Sequence, residues 1–365
     1  MNSNPQWISR GLLAIAAVLA VVAISTLSTT QQQWLAPSLS GCFLCFAFAS
    51  AGYATLRKWT FTIWIATAVV IGMSYPTWFI GVGDFKFTKL FVPILQVIMF
   101  CMGTTLSVHD FLRVFRMPTG VLIGLSCQFS IMPLVGFGLA LAFGLPPEIA
   151  AGTVLVGSSP SGLASNVMSF IAKADVAMSV TLTAIATLMA PFLTPLLMKT
   201  LAGEMIEVDA VKMMWSITKM VILPIIGGLV FHHWLLDKMR WLERIMPQIS
   251  MIGIIAMTVL TVAIGRDNLL QRGALLIVVC FLHSTAGYIL GYAACRILRR
   301  DRLTCRTIAL EVGMQNSGMA SGIAATLDKV ATLGLAPIVF GPVMNTTASA
   351  LANYWRTHPV KESPE

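Results

Sequence analysis

Charge is scarce in this chain. Only 11% of its 365 residues are Asp, Glu, Lys or Arg, against about 25% in soluble proteins, while 57% are hydrophobic. Mean hydropathy is +0.82. That shortage excludes a water-soluble domain and leaves a polytopic membrane protein. Other absences narrow the class. There is no paired His/Asp metal cluster and no nucleophile–base pairing on a membrane helix, which argues against an enzyme. There is no ring of like side chains and no repeated pore loop, which argues against a channel. Dyad-alternating strands are missing, which excludes a membrane barrel. The seven cysteines lie mostly inside apolar stretches. Cys42 and Cys45 have C-x-x-C spacing, with no second pair and no nearby His, so they read as packing residues. The net charge of +9 does not signal nucleic acid, because the basic residues sit in short loops between apolar segments.

What is present is a series of long apolar runs. A hydrocarbon core of about 30 Å needs about 20 apolar residues per helix. Charge-poor segments of that kind run over 11–28, 41–56, 61–83, 90–108, 117–145, 149–172, 176–198, 213–231, 245–265, 273–295, 307–327 and 331–355. This predicts about twelve spanning helices. Arg10 ahead of the first run resembles a signal peptide, but no small-residue cleavage site follows, so an uncleaved helix is expected. With the N-terminus inside, one set of loops carries Arg10, Arg57, Lys58, Arg113, Arg116, Lys173, Lys238, Arg240, Arg244, Arg296, Arg299, Arg300, Arg302, Arg306, Arg356 and Lys361. The other carries Lys86, Lys89, Lys199, Lys212, Arg266, Arg272 and Lys329. The bias predicts that both termini are cytoplasmic, in an inner (plasma) membrane.

One acid lies inside a membrane-length apolar stretch. Glu311 opens the run Glu311-Val-Gly-Met-Gln-Asn-Ser-Gly318. A carboxylate at that depth is costly and by default marks an ion or substrate path. The residues after it are poor helix formers with free amide oxygens, so a helix broken around a cation is expected. A second break is expected at Gly157-Ser-Ser-Pro160-Ser-Gly162. Each break is preceded by a span entered through a charged loop, Ser107–Arg113 in one case and Gly265–Arg272 in the other. Each is followed by a helix with two prolines, Pro191 and Pro195 or Pro337 and Pro342. The two loops fall on opposite sides of the membrane, so five spans repeated upside down are expected, as in inverted-repeat transporters. The boundaries are 59–203 for the first repeat, 204–356 for the second, 1–58 for an added N-terminal helix pair and 357–365 for a short cytoplasmic tail.

A hard monovalent cation wants several oxygen ligands. Glu311 supplies charge, with Gln315 one turn on. Ser165 and Asn166 supply oxygens from the other break. Ser179 and Thr183, four apart, share a helix face. Gln128 is a lone amide in an apolar helix and needs a partner. The second half-helices begin near Gly162 and near Ser317, and their free N–H groups favour an anion. Lys219 either snorkels to an interface or faces a substrate anion, and His283 reads as a packing residue.

These residues reach a known pattern. Gly162-Leu-Ala-Ser165-Asn166-Val-Met168, Ser179 to Thr183, Gln128-Phe-Ser-Ile-Met-Pro133 and Glu311 to Gly318 closely resemble the bile acid:sodium symporter family, over about 59–355. The resemblance implies an all-α fold of two inverted five-helix repeats, forming panel and core domains with two broken, crossing helices. It implies one sodium site from Ser165, Asn166, Ser179, Thr183 and Glu311. It implies a second from Gln128, Glu311, Gln315 and the carbonyls of Val312 and Met314. The substrate would lie beside the crossing, near Leu163, Ala164, Asn316 and Ser317. Two departures stand out: Ser158-Ser159-Pro160 replaces a Cys-Pro pattern, and Val343-Met344-Asn345 in the last helix has no His. The expected function is sodium-coupled uptake of a small organic anion, bile-acid-like or a short hydroxy- or keto-carboxylate, by alternating access. A proton-coupled or uncoupled exporter on the same fold is the alternative, with Glu311 as the titrating group.

Overall fold

The computed structural model describes residues 6–27, 32–53, 56, 59–115, 117–235 and 240–360. Arg57, Lys58, Arg116, Lys238 and Lys361, the boundary at 58 and the last five residues of the tail lie outside the described residues. The chain is an all-α, multi-pass membrane protein. Among the described residues, seven helices are long and apolar enough to cross a membrane, and four shorter apolar helices accompany them.

The first helices are α1 (Gln6–Leu27), α2 (Leu35–Ser50) and α3 (Thr60–Ser74). The expected span 61–83 ends early, at Ser74. Pro76 cannot continue a helix and pushes the residue before it out of the helical region, and Tyr75 has φ −129° and ψ 56°. The rest of the run forms a short 3₁₀ turn and a small antiparallel hairpin, β1 (Gly81–Val82) and β2 (Phe85–Lys86). Next come α4 (Phe91–Gly103), α5 (Val108–Leu112) and α6 (Pro118–Ala142). The expected span 149–172 is two helices, α7 (Pro147–Gly157) and α8 (Leu163–Ile171). Then follow α9 (Val176–Ala202), α10 (Ala210–Ile217) and α11 (Leu223–Leu235). A single π-helical turn, Thr218–Ile222, joins the last two. The remaining helices are α12 (Arg240–Ile264), α13 (Arg266–Ile297), α14 (Arg302–Gly313), α15 (Ser317–Thr326) and α16 (Leu335–Thr357).

The chain divides into two compact units. The first comprises Met1–Lys89 and Ile254–Asp267. Within it α2 packs on both α1 and α3. The Phe48 and Trp64 rings meet edge to face at 4.9 Å, and Thr67 Oγ1, which donates to Ile63 O at 2.8 Å, lies 3.3 Å from Phe43 O. Arg266 Nε donates to Met73 O at 2.9 Å, satisfying a carbonyl that the end of α3 leaves open. Val18, Val21 and Ile24 on α1 are exposed, as suits a face turned to lipid.

The second unit comprises Leu90–Gly253 and Asn268–Glu365. Lipid is as apolar as leucine, so helices in a membrane associate through close packing of small residues. α4 and α11 do so. A Cβ on Gly103 would lie 2.2 Å from Ile225 O, and one on Gly228 would lie 2.2 Å from Phe100 O. Elsewhere Ala140, Leu145, Ile149, Ala150, Leu276, Val279 and Leu335 form a buried cluster, drawn from α6, α7, α13, α16 and the turn after α6.

Candidate functional site

Both breaks follow from local chemistry. In the first, Pro160 lacks an N–H and its ring blocks helical continuation. Helix α8 restarts from Gly162 in an extended conformation, φ −115° and ψ 169°. The Ser158 carbonyl that the break frees accepts from Thr194 Oγ1 at 2.7 Å. The second break contains no proline. Met314 turns extended, φ −116° and ψ 113°. Gln315 Nε2 donates to Val312 O at 2.6 Å, and the Asn316 side chain caps α15 by accepting from Met319 N at 2.9 Å.

The breaks meet. Ser161 and Gln315 form an antiparallel bridge, and Asn316 N donates to Pro160 O at 2.7 Å. The backbone of one broken helix therefore satisfies the other among buried residues, where an unpaired amide would be costly.

Glu311 stands beside this junction, 2% exposed. Ser179 Oγ donates to Glu311 Oε1 at 2.5 Å, Thr183 Oγ1 donates to Glu311 Oε2 at 2.9 Å, and Ser161 Oγ also donates to Oε2. Asn166 Oδ1 lies 2.8 Å from Ser179 Oγ and 3.2 Å from Thr183 Oγ1, the same two hydroxyls that donate to Glu311. Ser165 Oγ lies 3.4 Å from Thr183 Oγ1. Ser165, Asn166, Ser179, Thr183 and Glu311 thus form one connected cluster. Ser161 belongs to it as well, and sequence reasoning passed over it as a break residue. Its position next to Pro160 was the available signal.

A second group adjoins the first. Gln128 Nε2 donates to Gln315 Oε1 at 2.6 Å and to Ser159 O at 2.9 Å, so the lone amide of α6 has found its partners at both breaks. Gln128, Ser161 and Glu311 line a small cavity together with Gly124, Leu125, Leu182 and Ala186, with room for about one water-sized sphere (≈ 10 Å³). Val312 O is occupied by the Gln315 amide, and Met314 N bonds back to Leu310 O at 3.1 Å. Leu163 and Ala164 open α8, Asn316 and Ser317 open α15, and Leu163, Ala164 and Ser317 are half-buried.

Sequence reasoning also missed the support behind Gly313. Ser284 Oγ donates to Gly313 O at 3.1 Å, and Tyr288 OH donates to Met344 O at 3.1 Å. A Cβ on Gly313 would lie 2.1 Å from the Tyr288 ring, so the residue before the break has to be glycine. His283 is 1% exposed, hydrogen-bonded to Met132 O at 2.9 Å, and lies edge-on to Phe340. Lys219 is exposed and sits in the π-helical turn, where its carbonyl accepts from Gln96 Nε2 at 3.3 Å.

Comparison with known proteins decides the lineage. Residues 92–272 match the model of the sodium bile acid symporter family. An uncharacterized sodium-dependent transporter of Bacillus subtilis, YocS, is 41% identical over 297 residues, which is 81% of this chain and 90% of the relative. The chain belongs to the sodium bile acid symporter family. This symporter-family chain is also 33% identical to a probable chloroplastic sodium/metabolite cotransporter of Arabidopsis thaliana, BASS1, over 83% of its own length and 74% of the relative's. The rabbit (Oryctolagus cuniculus) ileal sodium/bile acid cotransporter is 32% identical over 63% of this chain and 67% of its own. These relatives are transporters and cotransporters, not enzymes, and the family member described here is a membrane transporter.

Proposed function

We propose that this protein is a sodium-coupled symporter that carries a small organic anion into the cell across the inner (plasma) membrane, with both termini cytoplasmic. One observation carries the reading: hydroxyls from two elements converge on the buried Glu311 carboxylate where the two broken helices meet. Sodium-dependent transport in the named relatives supports sodium as the coupling ion.

On this reading the protein binds two sodium ions. The first is held by Ser165, Asn166, Ser179, Thr183 and Glu311, all within one hydrogen-bonded cluster. The second is held by Gln128, Glu311, Gln315 and the carbonyls of Val312 and Met314, beside the small cavity. To admit an ion the hydroxyls turn their lone pairs inward, and the Gln315 amide releases Val312 O. The anion binds near Leu163, Ala164, Asn316 and Ser317, where the N-termini of α8 and α15 supply positive dipole. Sodium binding orders the crossing and stabilises the state that accepts the anion, and movement of a core domain against a panel domain then alternates access.

An inverted repeat over 59–203 and 204–356 agrees with a local detail. α8 and α15 end in the same way: Lys173 (φ 52°) and Asp328 (φ 53°) take the left-handed conformation. The next residues, Ala174 and Lys329, donate back to Ser169 O and Ala324 O, both five residues earlier. Residues 1–58 stand outside the repeat as an added helix pair.

The test is sodium-dependent thermal stabilisation of the purified protein, with potassium at equal ionic strength as control. A ligand that binds only the folded state at about 100 times its Kd adds about 2.7 kcal/mol. A sodium-specific rise in melting temperature is expected, with a further rise from the right carboxylate. Stabilisation by acid instead of sodium would replace this reading with the proton-coupled one.

A further inference from the structure

Ser161 lies where the two groups of candidate ligands touch. On one side its Oγ donates to Glu311 Oε2 and sits 3.3 Å from Thr183 Oγ1. On the other side it lines the same small cavity as Gln128, and its backbone is bridged to Gln315. The residue is 1% exposed, so no bulk water competes for its hydroxyl. The Pro160 peptide next to it is tied to Asn316 N, which fixes the backbone on both strands of the junction.

A serine hydroxyl has one proton and two lone pairs. With no cation present, its proton points at Glu311 Oε2. A sodium ion drawn to that oxygen repels the proton, so the hydroxyl has to rotate and offer a lone pair. Ser161 and Glu311 both line the cavity beside Gln128. A hydroxyl already rotated for one ion is therefore set for the other.

We infer that Ser161 couples the two cation sites, so that occupation of either raises the sodium affinity of the other. The inference rests on the two-sodium reading above. Coupling between sites is reciprocal and commonly amounts to 5–150-fold in affinity. Rotation of a single hydroxyl places the effect toward the lower end. Ser161 acts through Glu311 and the junction, so its removal should change the shape of the sodium-binding curve more than the number of ions bound.

The experiment is equilibrium sodium binding to the purified full-length protein, with sodium chloride as the only ligand and potassium chloride as the control. No organic anion is present, so the identity of the cargo does not enter. Wild type should bind two ions per chain with a Hill coefficient above one. Ser161→Ala should still bind two, with a Hill coefficient of one; its sodium-free melting temperature should fall, because one hydrogen bond to the buried Glu311 is lost. Ser161→Thr, which keeps the hydroxyl, should restore cooperativity. If Ser161→Ala does not fold, Ser161→Cys takes its place, since a thiol is a poor sodium ligand of similar size. Wild-type cooperativity persisting in the hydroxyl-free variant overturns the coupling. Two ions bound without cooperativity in the wild type does the same and leaves the two-site reading standing. One ion per wild-type chain overturns both.

Discussion

The two helix breaks do different work. The first, Ser158 to Gly162, is broken covalently: Pro160 has no N–H, so no change in its surroundings can restore that hydrogen bond. It contributes Ser161, and Ser165 and Asn166 follow just beyond it, all uncharged. The second, Met314 to Asn316, is broken by side chains. Gln315 takes the Val312 carbonyl, Asn316 caps the next helix, and Tyr288 packs against Gly313. It follows the one charged group in the cluster, Glu311. A permanently open partner is thus paired with one whose local bonds can rearrange. On the proposed sodium reading, the first break is the scaffold and the second is the one that responds to the ion.

The comparison breaks most sharply at Glu311. Glu311→Ala removes the only formal charge in the cluster, and it should abolish sodium-driven accumulation in proteoliposomes and the sodium-specific rise in melting temperature. The protein should still fold, because the hydroxyls left behind can bond to one another and to nearby carbonyls. Sodium-driven accumulation at wild-type levels would remove the second break from ion binding.

On the side of the first break the effects should be graded. Ser179→Ala and Thr183→Ala each delete one hydroxyl that donates to Glu311 and lies beside Asn166 Oδ1. On the proposed reading each hydroxyl also turns a lone pair to sodium, and losing that ligand outweighs the hydrogen bond that the empty site loses. The half-saturating sodium concentration should therefore rise, by about 10-fold for about 1.4 kcal/mol of lost binding, while the maximal rate changes less. An unchanged sodium dependence would reduce these hydroxyls to packing groups.

The two breaks should also answer an added methyl group with opposite sign. Gly313→Ala drives a Cβ into the Tyr288 ring, and overpacking of this kind costs about 1–3 kcal/mol. Gly162→Ala meets nothing closer than 3.6 Å, the Asn316 Cα, at a backbone conformation any residue adopts. Its effect should be neutral or stabilising by up to about 1 kcal/mol, through the unfolded chain. Thermal unfolding without ligand separates the two. Equal losses would mean that the first break is packed as tightly as the second.

Composition and residue type made much of this legible. Long apolar runs with few charges indicated the helices, and the Ser/Pro/Gly and Gln/Asn runs marked both interruptions. The second half-helices, expected near Gly162 and Ser317, start at Leu163 and Ser317. The early end of α3 was obscured because hydropathy counts Trp78, Phe79 and Ile80 as span residues, whereas Pro76 and the hairpin decide the backbone. The π-helical turn at Lys219 has no side-chain periodicity of its own to read. The contact of Ser161 with Glu311 joins residues 150 positions apart. It depends on how the breaks cross, which no local pattern encodes.

The smallest effect lies at the outer ends of the same two broken helices. Glu148, in the first turn of α7, accepts from Lys329 Nζ just beyond α15. The Lys329 hydrogen bond, with help from Thr332, holds the Glu148 carboxyl below its ordinary value of 4.5. A lowered carboxylate pKa stabilises the folded state above the unfolded-chain value, and that contribution disappears as pH falls through the folded one. The loss should therefore appear only below about pH 4.5. Both side chains are about a third exposed, 34% and 37%, so water screens the pair and its worth is roughly 0.2–1 kcal/mol. Glu148→Gln should lower the melting temperature slightly at pH 7 and flatten its fall below pH 4.5. If the variant also shifted the sodium dependence, the outer tie would be part of the response at the second break. If sodium binding is untouched, the division of labour between the breaks is confined to the crossing.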